Sequence, residues 1–490
     1  MADEFDVVVV GGGGAGLAAA IESAESGRSV LLLEKNPSLG GSTAWSIGSV
    51  TSSGTPHQRA EGVRDDPESH FHDMALFNGA LDPRDNPQLR RILCDEIPSA
   101  FEWLLESGVR FFGPMPEPPH TQPRMHNVLP NSKSFIYHLL KRAKRAGVTV
   151  KVGATVDGLM LEEGKVVGVN VRAGNEARTC KARMGVILAA GDFTAGTDLK
   201  ASYMGPREAG VEAVNMTATG DGQKMALTLG ARIINGDVAL GPELRFIAPP
   251  KAKLVQRMPP WSPLAQAMAW ALKHVPDAIL RPFIMNFVTT ALAPSLSLFE
   301  QGAVLVNSGG ELVGKDCASL AYDLAAQDDK RGYILLDAHT ARQFETWPHF
   351  ISTAPGIAYA YLADYRRNRR DIYVSATSSA ELAAKLGMKA KTLQDAIGHA
   401  NQDRLEKFEE GTIVALGPVR PVFVHAEGGL AVNDRLQVLG ADDRAISGLY
   451  AAGSTGQGGL LLKGHGHHLA WAFVSGRRAA RMVAQDVAHR

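Results

Sequence analysis

The sequence predicts an α/β fold, and three features of its first 34 residues predict it. Residues 6–10 form an apolar run of strand length, and residues 29–34 form a second such run that ends in an acid. Between them, residues 17–26 are mostly small and have the composition of a helix. A strand, a glycine-rich turn, a helix and a second strand in this order are typical of the first unit of a doubly wound sheet.

The turn between the first strand and the helix has a specific glycine pattern. Gly11, Gly13 and Gly16 follow the G-x-G-x-x-G spacing. Such glycines allow a sharp turn and a close approach of the backbone to a pyrophosphate at the positive end of the helix. Glu34 lies 18 residues after Gly16, where an acid accepts hydrogen bonds from a ribose hydroxyl. The pattern predicts a dinucleotide site; the alternative is a tight turn in another kind of α/β sheet.

Composition limits the functional classes. The 490 residues allow two or more structural units, and a hydrophobic content of 45% is enough for ordinary cores. The 51 basic residues balance 51 acidic ones, so no bulk field attracts nucleic acid or an anionic membrane. Cys94, Cys180 and Cys317 are far apart, which argues against a disulfide framework or a cysteine metal site. The acidic start lacks the basic region of a signal peptide, so we expect a cytoplasmic soluble enzyme.

Three further motifs follow the glycine turn and a second glycine-rich loop at residues 40–43. Residues 186–191 read as a strand that ends in Ala-Ala-Gly, residues 219–222 read Thr-Gly-Asp-Gly, and residues 448–453 read Gly-Leu-Tyr-Ala-Ala-Gly. In this order the motifs resemble those of the FAD-binding family that contains soluble fumarate reductases, succinate dehydrogenase flavoproteins and 3-ketosteroid dehydrogenases. A nicotinamide dehydrogenase would need only the first glycine turn.

The resemblance implies a fold and a division of the chain. The implied fold is a Rossmann-like FAD-binding domain of the glutathione-reductase type, with an inserted α+β cap domain. Residues 1–237 and 420–490 then form the FAD-binding domain, and residues 238–419 form the substrate-capping domain. Apolar stretches within residues 241–298 leave two interpretations open. They are the core of the cap, or they form an apolar lid over a bulky substrate or a membrane-surface contact.

The resemblance also implies a flavin held without a covalent bond. In succinate dehydrogenase flavoproteins a histidine carries the covalent link, and Ser42 stands at the matching position. The chain contains no haem or iron–sulfur motif, so an external electron donor or acceptor is expected. The implied FAD-binding residues are Gly11, Gly13, Gly14, Ala15, Gly16, Glu34, Lys35, Gly40, Gly41, Ser42, Thr43, Ala190, Gly191, Thr219, Asp221, Gly453, Ser454, His468 and Leu469.

Two lysines stand where the resemblance implies arginines. Lys315 falls at the arginine of the R-D-x-A-S motif, which delivers a proton in fumarate reductases. Lys463 lies 14 residues before Arg477, at the place of an arginine that clamps a substrate carboxylate. An ammonium is a point charge with a movable pKa, whereas a guanidinium is a planar fork, so the match is incomplete. The alternative for Lys315 is a surface lysine paired with Asp316.

Histidines supply the other candidates for catalysis. His425 stands in His-x-x-Gly-Gly, similar to the H-T-x-G-G motif whose histidine binds one end of the substrate; a purely structural role in the strand is the alternative. His465 lies in a glycine-rich turn before a predicted last helix at residues 469–483 and is expected to line the pocket. The positive end of that helix would face the flavin. No carboxylate or thiolate stands at ligand spacing in this turn, so no metal site is predicted.

Together these features predict an FAD-dependent oxidoreductase that introduces a C=C bond next to a carbonyl of a bulky hydrophobic ketone, with hydride passing to the flavin N5. The apolar cap and the missing carboxylate-clamp arginines favour this ketosteroid dehydrogenase-like reaction. Two alternatives stay open: a fumarate reductase-like reductase of an enone or unsaturated carboxylate, and a non-catalytic FAD-binding protein. The expected partners are a small hydrophobic carbonyl substrate and an external electron acceptor or donor, without nucleic acid. Membrane-surface contact is not required.

Overall fold

The computed structural model describes residues 3–174, 176–251, 257–314, 316–354, 358–402, 408 and 411–488. Two large sheets and their helices organise this part of the chain. The mixed α/β content predicted from the sequence is confirmed.

The first sheet has eight strands and a parallel centre. Asp3–Val10 lies between Val30–Glu34 and Glu176–Leu188 and pairs with both in parallel. The four valines from Val7 to Val10 are all buried in the main apolar core, which explains the continuous apolar run. The remaining strands of this sheet are Thr149–Val152, Ala154–Glu162, Lys165–Ala173, Gln437–Leu439 and Ala445–Ala451.

The second sheet has six strands, and its longest member, Ile413–Phe423, pairs with four others. Most of these pairings are antiparallel, and a separate apolar core lies against the sheet. Its other strands are Glu212–Ala213, Glu243–Phe246, Val304–Asn307, Gly332–Leu336 and Tyr373–Ala376. The sheet therefore takes strands from both sides of the predicted boundaries at residues 237 and 420, and the domain division itself stays a prediction.

Shorter strands complete the described architecture. They form one three-stranded sheet and three two-stranded ribbons. The three-stranded sheet contains Ser49–Thr51, Arg110–Met115 and Met125–Leu129; the ribbons are Ile233–Ile234 with Gly429–Leu430, Ala239–Leu240 with His425–Ala426, and Ser352–Ala354 with Ala358–Ala360.

The helices lie where apolar periodicity and caps place them. Asp66 and Asn86, for example, accept hydrogen bonds from the first turns of the helices that follow them, as N-caps do. The α-helices are Gly14–Glu25, Gly41–Trp45, Pro56–Ala60, Pro67–Asn78, Pro87–Glu106, Lys133–Arg145, Thr197–Tyr203, Pro206–Ala209, Asp221–Leu227, Ser262–His274, Asp277–Ala291, Ser297–Glu300, Leu320–Ala325, Ala338–Gln343, Leu362–Asn368, Ser379–Leu386, Ala390–Gln402 and His467–Ala488.

The apolar segment at residues 241–298 contains the helices Ser262–His274 and Asp277–Ala291. Met285 and Val288 are buried in the core of the second sheet. Trp270, on the preceding helix, is 62% exposed. The segment thus contributes to a core and also carries exposed apolar groups, so both interpretations of it stay open. Within the described residues, no helix has the length and apolar character needed to cross a bilayer.

The last helix, His467–Ala488, crosses the first one closely. A β-carbon added at Gly476 would lie 2.3 Å from the carbonyl oxygen of Ala15. Only a glycine allows this approach, because any side chain there would overlap the first helix. The contact brings the start of the last helix, with His468, to the glycine turn.

Candidate active site

The glycine turn is as tight as its sequence predicts. Gly11 has a φ of +107°, and a β-carbon there would lie 2.3 Å from the carbonyl oxygen of Ala189 on the neighbouring strand. A β-carbon at Gly16 would lie 1.8 Å from the carbonyl oxygen of Gly11. Side chains at either place would push the helix away from the turn. Because both residues are glycine, the amino end of the helix and its N–H groups lie at the bottom of the cleft.

Glu34 ends the second strand and lies against this turn. Its carboxylate is 5% exposed and accepts hydrogen bonds from the Gly12 N–H at 2.8 Å and from the Asn36 N–H and side-chain amide at 2.8 Å each. A carboxylate has about four acceptor positions, so one remains for a ribose hydroxyl. The hydrogen bonds to Gly12 and Asn36 thus fix the position of the Glu34 carboxylate beside the glycine turn.

The second glycine loop packs on the first. The Gly40 N–H donates to the Gly12 carbonyl at 3.0 Å, and the Gly14 N–H donates to the Thr43 hydroxyl at 3.0 Å. Ser42 accepts a hydrogen bond from Asn215 at 2.9 Å. Two backbone loops with few side chains therefore face each other, which suits a phosphate-bearing ligand between them.

The Thr-Gly-Asp-Gly motif is joined to the second strand. The Lys35 ammonium donates to the Thr219 hydroxyl at 2.6 Å and to the Asp221 carboxylate at 2.7 Å. All three side chains are partly exposed at the edge of the cleft. This network connects Lys35, next to the end of the second strand, with the Thr-Gly-Asp-Gly motif more than 180 residues later in the chain.

The motifs together line one cleft. The residues assigned to FAD from the sequence line it, except Gly16, Gly40 and Thr219, which support the lining from behind. The cleft also contains residues that the sequence motifs did not indicate, and they include Asn36, Trp45, Ala154, Val156, Asp192, Val214, Asn215, Thr217, Ala218 and Val424. These residues come from several segments of the chain, which include the strand that begins at Ala154 and the stretch at residues 214–218.

His425 and His468 lie side by side in this cleft, with ring centres 3.8 Å apart. Between them, Glu427 is buried, and its Oε1 lies 3.4 Å from His425 Nε2 and 3.3 Å from His468 Nε2. Burial opposes the ionisation of Glu427, but His468 and the hydrogen bonds from both imidazoles outweigh it and hold the pKa well below its ordinary value. Burial, together with the neighbouring His425, lowers the pKa of His468. The cleft therefore contains an ionised carboxylate beside a histidine whose charged form is disfavoured by burial.

Glu427 is the residue that the sequence interpretation missed. Its signal is an acid inside an apolar strand segment, within the motif His-Ala-Glu-Gly-Gly. Acids are rarely buried without partners, so an acid at this place indicates a specific role.

The other candidates for catalysis lie apart from this pair. Lys315 falls outside the described residues. Lys463 is partly exposed, lies outside the described lining of the cleft, and its carbonyl oxygen accepts a hydrogen bond from His467 at 2.6 Å. His465 forms an ion pair with Glu117, which raises the pKa of the imidazole. The structure thus brings His425 and His468 together and pairs His465 with Glu117, while the catalytic roles of Lys463 and His465 stay predictions.

Two histidine clusters have the residue types of a metal site. His425, Glu427 and His468 form one. Two imidazoles on one tetrahedral ion, at about 2.0–2.1 Å, would place their ring centres about 5 Å apart. The observed separation of 3.8 Å is too short for that arrangement.

The second cluster, His70, His120 and His467, is buried below the start of the last helix. Its ring centres are 5.3 to 5.6 Å apart. However, the Arg124 guanidinium lies 2.9 Å from His120 Nδ1. Because arginine only donates, Nδ1 must accept, and the proton of the neutral ring lies on Nε2. His120 therefore offers no lone pair to an ion shared with the other two. The absence of a metal site stays a prediction.

Comparison with known proteins identifies the family of this cleft. The family model described as FAD binding domain matches residues 6–257 and 297–461. It omits residues 258–296, which contain the two apolar helices.

One curated relative is the NADH:fumarate oxidoreductase of Klebsiella pneumoniae, 26% identical over 472 residues, which cover 92% of this chain and 44% of that protein. The chain thus spans less than half of that relative. Among solved structures, the open conformation of a flavocytochrome c3 fumarate reductase matches with a TM-score of 0.72 at 22% identity, covering 99% of this chain and 78% of that one. The 3-ketosteroid Δ1-dehydrogenase of Sterolibacterium denitrificans matches with a TM-score of 0.65 at 17% identity, covering 99% and 100%. At these identities the two structures show a shared fold.

Proposed function

We propose a function from one premise, which is that the chain belongs to the FAD-binding family whose model matches most of it. Its cofactor is FAD, and the two facing glycine loops, Glu34 and the amino end of the first helix have the donor set that a dinucleotide requires. The chain is a flavin-dependent oxidoreductase acting on CH–CH groups. We infer that it introduces a C=C bond next to the carbonyl of a bulky, hydrophobic ketone.

The observation that carries this substrate class is the charge beside His425 and His468. Glu427 is buried behind these two lining histidines, and Asp192 lines the cleft near His468. Lys35 is the one lysine or arginine among the described lining residues, but it belongs to the part of the cleft assigned to FAD and pairs with Asp221. The acids beside the histidines favour a neutral substrate over a dicarboxylate.

The state of His468 supports desaturation as the direction of the reaction. FAD, when bound, exchanges a hydride with one substrate carbon. The protein must then move one proton at the neighbouring carbon. The lowered pKa of His468 keeps its imidazole unprotonated near neutral pH, and an unprotonated imidazole accepts a proton. This state favours desaturation of a ketone, because an acidic C–H next to a carbonyl is the natural donor.

A reductase of an enone or unsaturated acid is the second candidate. The sequence similarity to an NADH:fumarate oxidoreductase favours it, since that relative is named for the reduction of a C=C bond. Among the described residues that line the cleft there is no arginine to bind a substrate carboxylate. This favours an enone over an unsaturated acid as the substrate of such a reductase.

Anaerobic spectroscopy of the purified protein tests both candidates. Cyclic ketones are titrated into the oxidised protein and the flavin absorbance is followed, with succinate as the anionic comparison. Bleaching by a ketone and none by succinate is the expected result. In the reverse experiment, the chemically reduced protein is mixed with a cyclic enone or with fumarate. Bleaching by succinate, or reoxidation by fumarate alone, would refute the neutral substrate.

A further inference from the structure

Glu427 sits at the centre of a hydrogen-bonded network behind the cleft. Its Oε2 accepts from the Gln457 side-chain amide at 2.6 Å and from the Leu462 N–H at 3.0 Å. Its Oε1 faces the Nε2 atoms of His425 and His468 at 3.4 and 3.3 Å. The carboxylate is 2% exposed, so nearly all of its interactions are with these four groups.

The network determines which nitrogen of each imidazole carries a proton. An ionised carboxylate only accepts, so the nitrogens facing it must be N–H donors. A neutral imidazole has one N–H. With Nε2 protonated, the lone pair of each ring is on Nδ1. The opposite tautomer would place two lone pairs against a buried negative charge.

We propose that Glu427 is the positioning residue of the active site, which holds His425 and His468 as Nε2–H tautomers so that an Nδ1 lone pair takes the substrate proton. This inference rests on the proposed function, since it names the group that exchanges the proton of that reaction. None of the sequence motifs assigns a role to Glu427. Glutamate is seldom buried, so its burial here indicates a specific role.

The step balances as follows. One substrate carbon, next to the carbonyl, loses a proton to imidazole Nδ1, and the C–H electron pair forms the new C=C bond. The neighbouring carbon loses a hydride, with two electrons, to the oxidised cofactor. The imidazolium that results donates from Nε2 to the Glu427 carboxylate, as a histidine–carboxylate pair does in hydrolases. The proton then passes to solvent, and the imidazole is neutral again.

Other charged groups face this pair and belong to the same electrostatic balance. Asp192, which accepts from the Ala426 N–H at 3.2 Å, adds a second negative charge near His468. His467 precedes His468 on the helix and interacts with it electrostatically. Glu427 and Asp192 both stabilise the imidazolium form of His468, whereas burial destabilises it.

Glu427→Gln is a sharp test, because it replaces the carboxylate by an amide of the same shape. The amide oxygen is needed by the two fixed donors, Gln457 and the Leu462 N–H. Its NH₂ group then faces the imidazoles and requires lone pairs at Nε2. The substitution should therefore move the proton of at least one ring to Nδ1.

The measurement is nitrogen NMR of protein labelled with ¹⁵N-histidine, with FAD bound, between pH 6 and pH 8. His425→Gln and His468→Gln assign the two signals. Wild-type protein is expected to show a proton on Nε2 and a lone pair on Nδ1 in both rings at pH 8, and Glu427→Gln should show an Nδ1 proton. A wild-type Nδ1–H tautomer in both rings, or unchanged tautomers in the variant, would overturn the proposal. The wild-type spectrum alone decides it if the variant does not fold.

Kinetics link the tautomer to the reaction. The rate of flavin reduction by a ketone should fall at least about 100-fold in Glu427→Gln, within the range of general acid–base catalysis. Glu427→Asp should recover part of the rate, because it keeps the charge. Asp486→Asn is the matched control, since Asp486 also accepts from several donors, including Gln437 at 2.8 Å, but lies outside the described lining of the cleft. Its rate should equal that of the wild type.

The two proposals fail in different ways. Unchanged rates in Glu427→Gln alongside a moved proton would remove the role of Glu427 while the reaction stands. If no ketone or enone changes the flavin spectrum although wild-type and variant tautomers are as expected, the proposed reaction fails and the positioning by Glu427 stands.

Discussion

Gly16→Ala tests the central geometric feature of this protein, the contact between the first helix and the glycine turn. The added β-carbon would lie 1.8 Å from the Gly11 carbonyl oxygen. Reaching even 3.0 Å, the lower limit of real contacts, requires a shift of 1.2 Å (3.0 minus 1.8). Overpacking of this kind typically costs about 1–3 kcal/mol. Helix propensity acts in the opposite direction, because alanine stabilises a helix interior by about 1 kcal/mol relative to glycine.

The shift would move the helix N–H groups away from the bound pyrophosphate. If the strain falls on the FAD-bound state, about 1–3 kcal/mol corresponds to a dissociation constant about 5 to 150 times higher. The assay is a fluorescence titration of the apoprotein with FAD, together with urea unfolding of both forms. Gly398→Ala is the matched control: this glycine also lies in a helix, is exposed, and has open space at its β position. It should bind FAD normally and unfold at higher urea. Wild-type FAD affinity in Gly16→Ala would refute the reasoning.

Three further predictions follow from the same structure. Lys35→Met should weaken FAD binding several-fold, because it leaves the Asp221 carboxylate unpaired at the cleft edge; FAD titration at low and high salt checks it, and a salt-independent loss would contradict the electrostatic cause. Burial lowers the pKa of His126 to about 3 and that of His467 to about 4, so these rings stay neutral in the folded chain while the unfolded chain takes up protons below about pH 6.5. The two histidines should therefore leave the free energy of unfolding unchanged above pH 7 and should lower it between pH 6.5 and pH 5, by up to about 1.4 kcal/mol per histidine and pH unit. Urea midpoints at these pH values measure the change. In His126→Gln the free energy of unfolding should depend less steeply on pH. Met285→Ala should destabilise the protein by about 2–5 kcal/mol, since Met285 is 1% exposed, whereas Trp270→Ala should change the stability little. Liposome flotation shows whether the exposed tryptophans bind lipid. Protein left wholly unbound would remove the membrane-surface interpretation.

Much of the cofactor site could be predicted because its signals are local. Gly11, Gly13 and Gly16 lie within six residues, and the steric demand of a tight turn acts over that distance. The same holds for Glu34 at the end of the adjacent strand. The downstream motifs at Gly191, Asp221 and Gly453 were interpretable because each ends a strand or begins a helix at the same edge of the sheet.

The catalytic interpretation reached less far. His425 was a catalytic candidate and His468 an FAD-binding candidate, but their contact and its dependence on Glu427 could not be predicted. Lys463 was chosen by counting from Arg477, and counting does not show which atoms face a cleft. The structure shows its carbonyl oxygen accepting a hydrogen bond from His467, and the role of its ammonium group stays a prediction.

The sequence by itself determined that this chain builds a dinucleotide cleft, because backbone sterics and strand–helix periodicity are properties of short segments. Only the tertiary structure decided that a buried carboxylate joins residues 425, 457, 462 and 468. Hydrogen bonding and burial depend on distance in space, and these groups come from separate segments, of which the last helix supplies His468. The identity of the proton-exchanging group is therefore a property of the packed molecule.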